Sequence, residues 1–164
     1  PKVMAGLKEE GFLIKADKDV WLLTNYEKLL NRWQQEYVRR LKPTLFTCKY
    51  RATDKEFGKN WKQLKLKDYA IWGGEPAGDF YTKYLKPEIF TLYTNQTQQA
   101  IMRAYRWIPD EDGDIEVYKK FWTYPDDERY YVPPLLAYAD LMGTGDGRCV
   151  ETANMIYEQL LQKP

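Results

Sequence analysis

The chain predicts an α+β fold: a mixed β-sheet packed against helices, preceded by a partial winged-helix fragment made of one helix and a β-hairpin. Three observations predict it. Runs of helical apolar spacing and short β-type runs succeed each other irregularly, without internal repeats. The hydrophobic content of 44% within 164 residues supplies one sizeable core and a prior of one domain or one plus a fragment. A short helical segment runs through Gly11 directly into two strands, which is how a recognition helix meets its wing. The expected boundaries are 1–23 for that remnant and 24–164 for the α+β domain.

In order, Val3, Met4 and Leu7 have helical spacing and Gly11 serves as a C-cap. Residues 12–15 and 20–23 form the hairpin around Ala16-Asp17-Lys18-Asp19. Thr24 and Glu27 have capping-box spacing ahead of a helix whose stripe is Tyr26, Leu29, Leu30, Trp33, Tyr37 and Leu41. Glu36 and Arg40 form an i,i+4 pair, and Lys42-Pro43 closes the helix near residue 41. Residues 44–51 read as a strand covered on both faces. Residues 52–67 read as a short helix and loop with Phe57 and Trp61 turned inward and lysines outward. A strand over 68–72 leads into Gly73-Gly74, a tight turn, and Glu75-Pro76 begins a helix. Ala77, Phe80, Tyr81, Tyr84 and Leu85 share its face, and Lys86-Pro87 ends it. A strand over 88–94 follows. Thr94 or Asn95 caps the next helix, and strands 106–108 and 115–122 flank the acidic turn 109–114. Residues 123–131 are a polar loop. Pro133-Pro134 opens a helix to Leu141, the run 143–147 breaks it with Asp146 near the next N-terminus, and a last helix spans about 148–161.

Composition removes much chemistry. There is no histidine, hence no usual general base or metal ligand, and no serine nucleophile. Cys48 and Cys149 stand far apart, so neither a zinc site nor a disulfide framework is expected, and a reducing cytoplasm is the default. No apolar run approaches the roughly 20 residues that span a bilayer, and no signal peptide is visible; no membrane association is expected. The chain opens on Pro1-Lys2 inside an expected helix, so a piece of a longer protein is the expectation. The net charge of +1 conceals a split: residues 1–70 hold 16 Lys/Arg and 9 Asp/Glu (+7), and residues 71–164 the remaining 9 and 15 (−6).

The basic part makes Lys15, Lys18, Arg32, Arg39, Arg40, Lys49, Arg51, Lys59 and Lys62 the candidate DNA or phosphate contacts. The second candidate is a surface built on Trp72, Gly73, Gly74, Glu75 and Asp79, joined by Asp140 and Arg148. Gly73-Gly74 lacks the Lys-Ser/Thr of a P-loop. Gly143-Thr144-Gly145-Asp146-Gly147 follows a helix instead of a strand, unlike a dinucleotide loop. No Asp or Glu has Lys two positions on, as a restriction-type nuclease site requires. Glu75 and Asp79 share a helix face and are more cheaply explained as an N-terminal acid and a partner of Lys83. No catalytic, cofactor or metal residue is expected. Two rivals stay open: a nuclease-like or nucleotide-handling domain using Glu75, Asp79 and Asp140, and a module whose acidic, tyrosine-rich part binds a basic protein.

Several stretches together carry a resemblance: Lys8-Glu9-Glu10-Gly11-Phe12-Leu13, Asn31-Arg32-Trp33 with Arg40-Leu41-Lys42-Pro43, Trp72-Gly73-Gly74-Glu75-Pro76-Ala77 with Tyr84-Leu85-Lys86-Pro87-Glu88, and residues 132–141 through Arg148 and Glu151-Thr152-Ala153. The set resembles the AbiEi-like antitoxins and transcriptional regulators of bacterial type IV toxin–antitoxin systems. The resemblance implies an N-terminal winged helix that binds operator DNA, a C-terminal α+β domain used in antitoxin action, no cofactor, and a toxin partner resembling a nucleotidyltransferase. The chain lacks the first helices of the winged domain.

Overall fold

A computed structural model describes residues 2–66, 70–123 and 130–162. Helix α1 (Lys2–Glu9) turns at Gly11 into strands β1 (Leu13–Asp17) and β2 (Val20–Leu23), a two-stranded antiparallel sheet of its own. Phe12 is its buried anchor, and the bidentate Arg32–Glu10 pair ties it to the following helix. That helix, α2 (Tyr26–Glu36), starts one residue later than the capping-box expectation. Asn25 precedes it in a left-handed conformation (φ 51°) with no side-chain cap. The Thr24 hydroxyl donates instead to the Gly11 carbonyl (2.8 Å), because the turn closing α1 onto the hairpin leaves that acceptor within reach.

Lys42-Pro43 does not stop the helix. A π-turn over Tyr37–Leu41 continues α2 into α3 (Lys42–Leu45). Pro43 is the second residue of α3, directly after the π-turn. Strand β3 (Phe46–Ala52) is barer than expected: only Tyr50 is fully buried, and Phe46 is exposed. Helix α4 (Phe57–Asn60) and a 3₁₀ turn over Trp61–Gln63 turn Phe57 and Trp61 inward, as the sequence predicts. Strand β4 is Ile71–Trp72; of its expected span Ala70 lies just outside the strand, and residues 68–69 fall outside the described residues. Helix α5 (Gly74–Thr82) ends at Lys83 in a left-handed cap (φ 57°), before Lys86-Pro87, so Phe80 and Tyr84 stay exposed.

Strand β5 (Phe90–Thr94) leads to α6 (Gln98–Tyr105), capped not by Thr94 or Asn95 but by Thr97, whose hydroxyl accepts the Ala100 N–H (3.2 Å). Strands β6 (Trp107–Pro109) and β7 (Ile115–Lys119), then α7 (Pro134–Met142), α8 (Gly147–Ile156) and a terminal π-turn (Tyr157–Leu161), complete the chain. Part of the expected polar loop 123–131 lies outside the described residues.

The main sheet has the order β4-β5-β7-β3-β6, with β5 and β7 parallel and the other pairs antiparallel. The α+β class is as the sequence predicts. Period-2 alternation splits its side chains between two cores. Trp72, Phe90, Leu92, Ile115 and Val117 face one layer with Phe57, Trp61, Ile101 and Trp107, where aromatic rings meet edge to face (Phe57–Phe90 4.8 Å, Trp61–Trp72 5.8 Å). Ile71, Tyr93 and Tyr118 face the other, against α5, α7, α8 and the α2–α3 run. The functional candidate lies on this helical face.

Candidate functional site

Gly73 and Gly74 bring the chain over the helical face at a distance no side chain permits. A Cβ on Gly73 would stand 2.5 Å from the Tyr93 ring and 2.8 Å from Asp140 Oδ2. Gly74 takes φ +48°, and a Cβ there would press on Thr91. The Gly73 N–H donates to the Thr91 carbonyl (2.9 Å), which leaves the Gly74 N–H, in the first turn of α5, free to donate to Asp140 Oδ2 (3.1 Å). A carboxylate is favoured there by the unsatisfied N–H groups and dipole of the helix start.

Asp140 sits in an otherwise apolar helix with 1% of its surface exposed. Burying a carboxylate requires donors, and four elements supply them. Tyr93 of β5 donates to Oδ1 (2.8 Å), Tyr37 of the π-turn donates to Oδ1 (2.9 Å), Lys42 of α3 pairs at 2.8 Å, and Gly74 of α5 completes the set. The two phenol oxygens are 2.6 Å apart, so two phenol protons serve three short contacts. Burial first, then the Asp140 charge, raises both phenols above the ordinary tyrosine range, so both remain protonated donors. In a regular α-helix, residues 37 and 42 would point about 140° apart. The π-turn closes an i→i+5 bond from the Lys42 N–H to the Tyr37 carbonyl and sets both side chains on Asp140.

This network floors a cleft of about 730 Å³. Val38, Pro43 and Phe46 form one wall, Thr91, Glu116 and Tyr118 the sheet side, and Glu88, Ile89 and the 143–148 segment the rim. Arg148 holds Glu88 with two bonds (2.9 and 3.0 Å), and Glu75 accepts the Glu88 N–H (2.8 Å). Asp146 caps α8 by accepting the Arg148 and Cys149 N–H groups (3.1 and 3.2 Å). The Cys149 N–H is the main reason its carboxyl lies below the usual range. Burial pushes the Cys149 thiol up to about 12. Five carboxylates line the cleft against Lys42 and Arg148, so it is acidic.

The structure brings Gly74, Glu75, Asp140 and Arg148 to one cleft, with Gly73 beneath it and Trp72 in the aromatic core on the opposite side of the sheet. Asp79 departs from this set: it lines a different groove and pairs with Lys62, not with Lys83, which sits over the Phe80 ring. The trio Glu75, Asp79 and Asp140 therefore does not converge, and among the described residues no group of three metal-ligating side chains occurs. Tyr37, Lys42 and Tyr93 went unnoticed in the sequence, where they read as stripe, helix stop and strand. The signal was Asp140 itself, a carboxylate in an apolar helix that has to find donors elsewhere.

Most of the nine candidate phosphate contacts are engaged at home. Arg32 pairs with Glu10, Arg39 and Arg40 with Glu36, Lys49 with Glu116, Arg51 with Asp110, Lys59 with Glu56, and Lys62 with Asp79. The exposed side chains of Lys15 and Lys18 on the hairpin make no ion pair among the described residues.

A mixed sheet backed by helices, with an appended helix and hairpin, defines an α+β protein. The profile of one family, described as transcriptional regulator, AbiEi antitoxin, type IV TA system, matches residues 22–162. The chain belongs to that family, as the resemblance in its motifs implied. No curated protein and no solved structure matches it significantly. Among the described residues no helix is long and apolar enough to cross a membrane.

Proposed function

We propose that the chain is the C-terminal part of a bacterial, cytoplasmic transcriptional regulator and antitoxin, and that the full-length protein binds its operator through a winged helix of which residues 1–23 are the recognition helix and wing. Family membership supports the regulator and antitoxin role. The observation that carries the DNA reading is the geometry of α1, Gly11 and the hairpin, which presents Lys15 and Lys18 without ion pairs among the described residues, while the other seven candidate contacts are paired with neighbouring acids. Unpaired lysines are the ones that exchange counterions for phosphates.

The test is fluorescence anisotropy of the full-length protein on its own promoter duplex. Expected is promoter-preferring, salt-dependent binding that falls several-fold in Lys15→Gln/Lys18→Gln. Absence of salt-dependent, promoter-preferring binding sinks the reading.

The acidic cleft favours a second role in the same protein, docking of a basic segment of a partner protein such as a nucleotidyltransferase-like toxin. Pull-down of the neighbouring gene product by wild type, lost when the cleft rim is changed by Glu88→Lys, is the expected result. Equal capture by both proteins removes this role from the cleft.

A further inference from the structure

Of the five carboxylates that line the acidic cleft, four have a cation of their own. Lys42 answers Asp140, Lys49 answers Glu116, and Arg148 answers both Glu88 and Asp146. Glu75 is the exception. It is 5% exposed, opens on the cleft from the first turn of α5, and makes no ion pair among the described residues. Its Oε2 accepts the Glu88 N–H (2.8 Å), and its Oε1 has no hydrogen-bond partner among them. The Arg148 guanidinium feels the Glu75 charge but spends its nitrogens on Glu88 and Asp146. The helix start offsets part of a buried negative charge; the rest calls for a cation.

The surroundings decide which cation. A divalent metal draws on several oxygen ligands at once, and the other carboxylates are already held by lysine or arginine. A guanidinium fork needs two acceptors side by side, and Glu75 offers one free oxygen. A primary ammonium is a point charge that one oxygen suits. The wall of Val38, Pro43 and Phe46 is apolar. The Phe46 ring meets Tyr118 edge-on at 5.6 Å and is 46% exposed, which leaves apolar surface for methylene groups. Five carboxylates against the lining Lys42 and Arg148 leave a negative potential from which a second ammonium on the same ligand gains. The volume of about 730 Å³ lies within the range of small-molecule sites. Ammonium groups joined by short hydrocarbon chains are the complement of this arrangement.

We propose that the cleft binds a free aliphatic polyamine, with one ammonium on Glu75 Oε1 and its methylenes along Val38, Pro43 and Phe46. The same ammonium chemistry occurs in a lysine side chain of a partner protein, so the test separates the two sources. This site shares the cleft with the docking reading and does not depend on it.

The experiment is isothermal titration calorimetry of the 164-residue chain at pH 7.5 and 100 mM NaCl in an amine-free buffer, with spermidine, acetyl-lysinamide and acetyl-argininamide as titrants. Spermidine is expected to bind one per chain, about tenfold more tightly than acetyl-lysinamide, with acetyl-argininamide weaker still. Glu75→Gln keeps an acceptor for the Glu88 N–H and removes the charge, and should weaken spermidine about tenfold. Phe46→Ala should weaken it about threefold. Glu111→Gln, on the exposed acidic turn outside the cleft, should leave it unchanged. Circular dichroism checks folding; should Glu75→Gln lose structure, Phe46→Ala, whose ring is half exposed, carries the test, and unchanged affinity there overturns the site. No saturable spermidine binding, an equal loss in Glu111→Gln, or unchanged affinity in a folded Glu75→Gln overturns it too. So does acetyl-lysinamide binding as tightly as spermidine, which assigns the cleft to a partner's lysine. Spermidine binding beside unchanged capture of the neighbouring gene product by Glu88→Lys keeps this site and removes docking; the reverse keeps docking and removes this site.

Discussion

Asp140 is where the fold is most sensitive to a single atom. Its carboxylate is the shared acceptor of a lysine, two phenols and a helix N-terminus, and the two phenols also meet each other at 2.6 Å. Asp140→Ala leaves the Lys42 ammonium, the Gly74 N–H and one phenol proton without their acceptor, and removal of one member of a buried pair costs about 3–5 kcal/mol. Urea unfolding at pH 7.5 checks it; a loss below about 1 kcal/mol refutes the central role given to the network. Gly73→Ala presses on the same carboxylate from the other side and is expected to cost about 2–3 kcal/mol by overpacking. The phenols add a pH signature. Tyr37 and Tyr93 are raised in the fold above the ordinary value near 10. Groups raised on folding lend stability that is complete below the unfolded value and lost as pH climbs toward the folded one. Wild type should therefore lose urea resistance between about pH 9.5 and 11 more steeply than Tyr37→Phe. Parallel curves for the two proteins would contradict this.

At the scale of elements, the continuous run Tyr26–Leu45 connects the two ends of the molecule. Its first half meets the hairpin through Arg32 and Glu10, and its second half delivers Tyr37 and Lys42 to Asp140. The π-turn makes both possible, since it changes the facing of the helix between the two contacts. Deleting the exposed Arg39 makes Tyr37 and Lys42 neighbours at i and i+4, which an ordinary α-turn keeps on one face. Both side chains still reach Asp140, and we expect a stability loss of about 1 kcal/mol or less. A loss near that of Asp140→Ala in thermal melts, about 3 kcal/mol, would show that the π-turn itself is needed to hold the two side chains on Asp140.

For the whole molecule, the sheet separates an aromatic layer from a helical layer that holds the polar network and the acidic cleft above it. The two cysteines report on its integrity. Cys149 is fully buried and its thiol is raised to about 12, whereas Cys48 is half-buried on β3. At pH 8 one thiol should react with a disulfide reagent in the native protein and the second only at the rate of unfolding; two equally fast thiols would deny that α8 is packed as described. The sequence by itself determined the class of fold, the hairpin, the order of helices and strands, the inward turn of Phe57 and Trp61, and the family, because apolar periodicity, glycines and prolines act locally. It also grouped Trp72, Gly73, Gly74, Glu75, Asp79, Asp140 and Arg148 as one candidate surface. Only the tertiary structure decided that Trp72 and Asp79 lie apart from the cleft, that Lys42-Pro43 continues a helix, and that Tyr37, Lys42 and Tyr93 join Asp140. The reason is physical: a buried charge names its need for donors in the sequence, but which donors answer depends on chain segments 47 to 103 residues away meeting in space.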